Sequence, residues 1–180
     1  GVLEGIAGQC DGVRCDMAML VLPDVIARTW GDRALPSDGT RPDDGPFWPA
    51  AIEHVRRRRP GFLFMAEAYW DLEWELMQQG FDYCYDKRLY DRLEHDFAEQ
   101  IRLHLPADLG YQEKLVRFIE NHDEPRAAAT FPGAKNLAAA VTILTLPGAK
   151  PLYDGQLEGG RGRGSGRWGP RWPSCSAGRK

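Results

Sequence analysis

Only four of the 180 residues are cysteine, and Cys10, Cys15, Cys84 and Cys175 form no CxxC pair and have no histidine at ligand spacing. That pattern excludes the usual structural zinc arrangements. Cys15 and Cys84 lie inside apolar runs, where a free thiol acts as a small core side chain, and such usage fits a reducing, cytoplasmic setting. Long hydrophobic runs are also lacking: no segment reaches membrane-spanning length, and Gly1 opens directly into a helical pattern without a charged leader. With no initiator methionine and so abrupt a start, we expect upstream sequence to be missing. Basic residues are scarce in the main body. The net charge of −3 conceals six Arg or Lys and no acid in residues 159–180, which leaves 17 basic against 26 acidic residues, a net −9, before that. An acidic body argues against nucleic-acid binding, which draws on clustered cations, and suits a neutral substrate such as sugar.

What is present is a chain of core-forming composition, 43% hydrophobic with 11% aromatics, long enough for one domain. After a helical opening with Val2, Leu3 and Ile6, strand patterns fall at Gly12–Asp16, Phe62–Ala66, Phe81–Tyr85 and Leu115–Glu120, with a weaker one at Ala149–Tyr153. Helical patterns lie between them at Ala50–Arg59, Asp71–Gln79, Lys87–Leu103 and Lys135–Leu144. Strands alternating with helices over short connections predict βα units on a parallel sheet. The exception is Leu22 to Pro49, where five prolines break any regular pattern and predict a long loop suited to a cleft wall. Arg56 to Arg59 complement a helix C-terminus before Pro60 and Gly61. The Gly-, Arg- and Pro-rich stretch 159–180 holds too little apolar surface to offset its ordering entropy and is expected to be disordered.

Three acids stand at the carboxyl ends of strand patterns. In Gly12-Val13-Arg14-Cys15-Asp16, alternation puts Arg14 and Asp16 on one face, where the guanidinium favours the ionised carboxylate that a nucleophile requires. Alone, the pair also reads as a surface ion pair. In Phe62-Leu63-Phe64-Met65-Ala66-Glu67, the acid ends an apolar strand, so partial desolvation favours its protonated form and suits proton delivery. Tyr69 and Trp70 follow with faces on which a sugar ring can stack, although a helix-capping role for Glu67 fits the local pattern too. Phe118-Ile119-Glu120-Asn121-His122-Asp123 ends a later strand, and there Asp123 also reads as an N-cap. In a (β/α)8 barrel such strand ends share one rim, and two carboxylates in different environments are the equipment of glycoside hydrolysis.

GVRCD, FLFMAE and FIENHD, in this order, resemble the motifs of the α-amylase family of glycoside hydrolases, family thirteen. The resemblance covers about residues 1–158 and implies a partial (β/α)8 TIM barrel, strands four to eight. Carried over by position, it implies Asp16 as nucleophile, Arg14 as its orienting partner and Glu67 as acid/base. It likewise implies Asp123 as transition-state stabiliser and His122 as a substrate hydroxyl ligand, with Asn121 supporting the loop. The implied activity is retaining hydrolysis or transfer on α-glucosidic bonds of an α-glucan or maltooligosaccharide, with no membrane or nucleic-acid partner. No metal site or organic cofactor is implied within this segment, calcium being compatible with an intact parent. The early motif ending in Asn-His is absent, and Met19-Leu20 stand where many starch-degrading members have Lys-His. The rival expectations are a non-catalytic barrel of the same family, or a truncated and inactive one.

Overall fold

A computed structural model describes residues 1–34 and 45–161. Helix α1 (Val2–Ala7) leads into β1 (Gly12–Cys15), and α2 (Pro23–Trp30) and α3 (Phe47–Arg56) precede β2 (Leu63–Ala66). Then come α4 (Glu73–Gln78), β3 (Tyr83–Tyr85), α5 (Lys87–His95), α6 (Ala98–His104), α7 (Leu109–Gln112) and β4 (Leu115–Val116), with α8 (Ala127–Thr130) and α9 (Ala134–Thr145) last. The four strands form one parallel sheet in sequential order β1-β2-β3-β4. Register runs from Gly12 opposite Leu63 to Cys15 opposite Ala66, then Ala66 opposite Cys84 and Tyr85 opposite Val116. The expected βα alternation is therefore the observed one, with parallel strands joined by helical crossovers.

Two clusters of buried side chains hold the sheet to its helices. Phe62, Phe64, Phe81 and Trp48 pack edge to face, Trp48 against Phe81 at 4.8 Å between ring centres and Phe62 against Phe64 at 5.3 Å. Cys15 and Cys84 are buried in this cluster as small core residues. The second cluster gathers Tyr85, Tyr90, Phe118, Phe131 and Ile143. No helix among the described residues is long and apolar enough to cross a membrane.

Four expectations need correction. The long loop expected at Leu22–Pro49 contains α2, because Pro23 sits at the first helical position, where its fixed φ favours helix initiation; residues 35–44 lie outside the described residues. The helix expected over Lys87–Leu103 is two helices, broken where Asp96 takes an extended backbone. No Gly or Pro marks that break in the sequence. The strand expected at Leu115–Glu120 keeps only Leu115 and Val116 in the ladder. The reason lies one strand away: Asp86 ends β3 by capping α5 through the Leu89 N–H at 3.1 Å, so among the described residues no strand runs on that side beyond Val116. The strand at Ala149–Tyr153 reduces to a single parallel bridge between Val116 and Ala149. The Gly/Arg-rich stretch expected to be disordered lies outside the described residues from position 162 onward.

The four arginines at the end of α3 are engaged individually. Arg56 pairs with Asp82 at 2.7 Å, Arg57 with Glu53 at 3.0 Å, Arg58 with Glu4, and Arg59 donates to the Ala7 carbonyl at 2.9 Å. Arg58 and Arg59 tie the end of α3 to α1, and Arg56 ties it to the start of β3, whereas the Arg57 pair lies along α3 itself.

Candidate active site

Because Cys15 is paired with Ala66, the next residue on each strand emerges at the same edge of the sheet. Those residues are Asp16 and Glu67. The Glu67 N–H donates to the Cys15 carbonyl at 3.0 Å, and the Ala18 N–H donates to the Glu67 carbonyl at 3.1 Å. Between them Met17 adopts a left-handed backbone, φ +43°, which is uncommon for a side chain of this kind. That turn aims the Met17 N–H at Glu67 Oε2, 2.7 Å away.

Arg14 is the hub. Its Nη1 pairs with Asp16 Oδ1, and its Nη2 lies 2.9 Å from Glu67 Oε1 and 3.5 Å from Asp123 Oδ2. One guanidinium thus gathers three carboxylates from β1, β2 and the segment after β4. The Tyr85 ring lies 5.5 Å from the guanidinium carbon. Burial disfavours the Arg14 charge, but the hydrogen bonds to Asp16 and Tyr85 and the Glu67 charge outweigh it and hold its pKa above the ordinary value.

The three acids differ in exposure. The Glu67 side chain is 5% exposed, that of Asp123 50% and that of Asp16 76%. Asp123 rides on a turn organised by Asn121, whose Oδ1 accepts from the Asp123 N–H at 2.9 Å and the Glu124 N–H at 2.8 Å. His122 Nε2 is 3.0 Å from Asp123 Oδ2. Tyr69 sends its hydroxyl to Glu67 Oε1 at 3.0 Å, and burial, followed by this carboxylate, pushes the phenol pKa far upward. Trp70 is 58% exposed, at φ +62°. With Tyr69, Asp71, Glu73, Lys87 and Arg88 it lines a cleft of about 260 Å³.

Several contributors escape a reading of the sequence. Tyr85, which lies within a strand pattern, is buried and flanks Arg14. Glu120 and Arg126 staple the base of the loop that carries His122 and Asp123. Glu120 Oε2 accepts from the Ala127 N–H at 2.5 Å, and Arg126 Nη1 lies 3.2 Å from Glu120 Oε1. Both residues are buried. In the sequence Glu120 is one more residue of an apparent strand; the basic residue six positions later is the available signal.

No family profile matches the chain. It is 30% identical over 165 residues to the α-amylase MalA of Haloarcula japonica, a match covering 87% of this chain and 21% of that protein. This match, together with the solved structures the chain resembles, supports membership of the α-amylase family. Solved α-amylase-family structures superpose on it at the level of fold. The α-amylase of Lactobacillus plantarum does so with a TM-score of 0.59 and 23% identity, over 89% of this chain and 38% of that one. The ligand-free cyclic α-maltosyl-(1→6)-maltose hydrolase of Arthrobacter globiformis gives a TM-score of 0.62 at 20% identity, over 88% and 34%. The chain therefore spans about a fifth of the curated relative it matches and about a third of these structures. Its sheet is part of the amylase (β/α)8 barrel, and the cluster around Arg14 lies at the carboxyl end of the strands, where barrel enzymes carry their chemistry.

Proposed function

We propose that this site belongs to a retaining glycoside hydrolase or transglycosidase that cleaves α-glucosidic bonds of an α-glucan or maltooligosaccharide by double displacement. The observation that carries this reading is the convergence of Asp16, Glu67 and Asp123 on Arg14. In the first step Asp16 attacks the anomeric carbon as the glycosidic C–O bond breaks, and Glu67 delivers its proton to the departing oxygen. In the second, Glu67 removes a proton from water or an acceptor hydroxyl, which attacks the anomeric carbon and releases Asp16. The exposed Asp16 is open to a sugar ring, whereas buried Glu67 is shielded from bulk water. In this reading Asp123 stabilises the transition state, His122 binds a substrate hydroxyl, and Trp70 offers a face for stacking. The sugars in the names of the similar structures, maltose and α-maltosyl sugars among them, support a glucan ligand. Calcium, which the family resemblance allows in an intact parent, finds no set of three or more acidic, His or Cys ligands among the described residues, and no step here uses it.

The test is covalent trapping. The 180-residue chain incubated with a 5-fluoro α-glucosyl fluoride should gain one glycosyl mass on the peptide holding Asp16, and Asp16→Asn should lose the adduct. Glu67→Gln should lower maltooligosaccharide turnover about 10²- to 10⁴-fold, while sparing more of the turnover of aryl glycosides, whose leaving groups need no proton. Near wild-type turnover in both variants on every α-glucoside would refute the proposal.

A further inference from the structure

Glu67 has four lone-pair directions on its two carboxyl oxygens, and the structure fills them unequally. Oε1 faces two donors, Arg14 Nη2 at 2.9 Å and the Tyr69 hydroxyl at 3.0 Å. Among the described residues Oε2 faces one, the Met17 N–H at 2.7 Å. A carboxylic acid must carry its proton on an oxygen with a lone-pair direction to spare, and that is Oε2.

We infer that Tyr69 is a positioning residue: together with Arg14 it saturates Glu67 Oε1 and so confines the transferable proton to Oε2. This rests on the proposed role of Glu67 as acid/base and goes beyond the stacking role that sequence position alone gives Tyr69. The chemistry balances without any further reactant. When Glu67 Oε2 gives its proton to the glycosidic oxygen, the charge left on the carboxylate is met by the Tyr69 and Arg14 donors; when the second step returns a proton, Oε2 again receives it. A hydrogen bond to an ionised acceptor is about twice as strong as one to a neutral group, so the Tyr69 contact strengthens as the proton departs. Tyr69 is held for this task by the strained segment after it, where Trp70 and Asp71 have φ of +62° and +60°, and Asp71 is tied to Arg88. Other charges near this pair are Asp16 and Asp123 on Arg14, and Glu124, which Lys87 neutralises at 3.1 Å.

Two measurements on the 180-residue chain decide the matter. The first needs no turnover. With tyrosine labelled at Cζ with ¹³C, the Tyr69 resonance, assigned by its loss in Tyr69→Phe, should move as pH is lowered through the carboxylate range. In Glu67→Gln that movement should vanish, which separates the Glu67 contribution from those of Asp123 and Glu124. A resonance flat with pH, or equally mobile in Glu67→Gln, overturns the inference. The second compares leaving groups. Tyr69→Phe should cost about 10- to 100-fold in kcat on maltooligosaccharides with KM little changed, and several-fold less on 4-nitrophenyl α-glucosides, which depart unprotonated. In a Glu67→Gln background the same substitution should add nothing. Equal losses on both substrates would make Tyr69 merely structural and overturn the positioning role with the enzyme reading intact. Retained maltooligosaccharide turnover in Glu67→Gln would instead remove the acid/base reading. Should the wild-type chain turn over neither substrate, the resonance measurement alone decides.

Discussion

Arg14 and Arg117 both meet carboxylates, but in opposite surroundings and with opposite consequences. Arg14 sits at an open rim among three acids, whereas Arg117 is 1% exposed and pairs with the equally buried Asp86, Nε to Oδ2 at 3.0 Å. The rest of the Arg117 fork is satisfied by the Pro147 carbonyl at 2.7 Å and Gln112 Oε1 at 3.3 Å, and His104 Nε2 lies 2.9 Å from Asp86 Oδ1. Removing one partner of such a buried pair leaves a charge with no compensation. Asp86→Asn is expected to cost about 3–5 kcal/mol of stability, read by urea unfolding at neutral pH. The same group gives a pH dependence of known sign. Burial alone would raise the Asp86 carboxyl, but His104 and then Arg117 outweigh it and hold the pKa below the ordinary range. Its contribution is therefore complete above the unfolded Asp value of about 3.9 and is lost as pH falls through the lower folded value. Unfolding curves measured from pH 6 downward should show wild type losing stability below about pH 4 more steeply than Asp86→Asn.

At the scale of elements, the return of the chain to β4 after α9 is held by little backbone pairing. The Ala149 N–H donates to the Leu115 carbonyl and the Arg117 N–H to the Ala149 carbonyl, both at 2.9 Å, and these two bonds stand in place of a fifth strand. The approach is close enough to require glycine just before it. Gly148 has φ +93°, and a Cβ there would overlap the Leu115 carbonyl oxygen and come within 2.8 Å of that of Gln112. Gly148→Ala should cost about 1–3 kcal/mol and loosen this joint first. Hydrogen exchange would show it as lost protection at Ala149 and Arg117; unchanged protection would mean that the bridge tolerates a side chain. The split between α5 and α6 belongs to this scale too. Continuous helical periodicity from Lys87 predicts one helix, yet the break at Asp96 lets the second segment bring His104 back to Asp86. Tertiary pairing overrides local periodicity there.

For the whole molecule, sheet order leaves β1 as an edge strand among the described residues, with β2 on one side only. Apolar side chains also stand exposed along α9, where Leu137, Val141 and Leu144 recur at three- and four-residue spacing. Unpaired edges and exposed apolar stripes favour association. Sedimentation velocity on the 180-residue chain should therefore show concentration-dependent oligomers in the micromolar range, and a single monomeric species across that range would contradict this expectation.

The strands, their parallel pairing and the two adjoining carboxyl-end acids are legible in the sequence because each rests on local pattern. Strand patterns of four or five residues each end in a charged side chain, FLFMA alone being apolar throughout, and helical periodicity between them forces parallel crossovers. GVRCD and FLFMAE place Asp16 and Glu67 at comparable points of successive strands, so parallel register alone brings them together. The sequence by itself does not determine what joins them. That Arg14 reaches Asp123, 109 positions away, depends on where the segment after β4 is carried, and that in turn depends on a ladder cut short at Val116 and a loop stapled by Glu120 and Arg126. Nor does it reveal the Met17 N–H or the Tyr69 hydroxyl on Glu67, since both arise from left-handed or strained turns that no residue type there advertises. Periodicity is written in neighbours along the chain. The hydrogen bonds that specify Glu67 are made between backbone and side chains whose directions are settled only when the strands have been packed side by side.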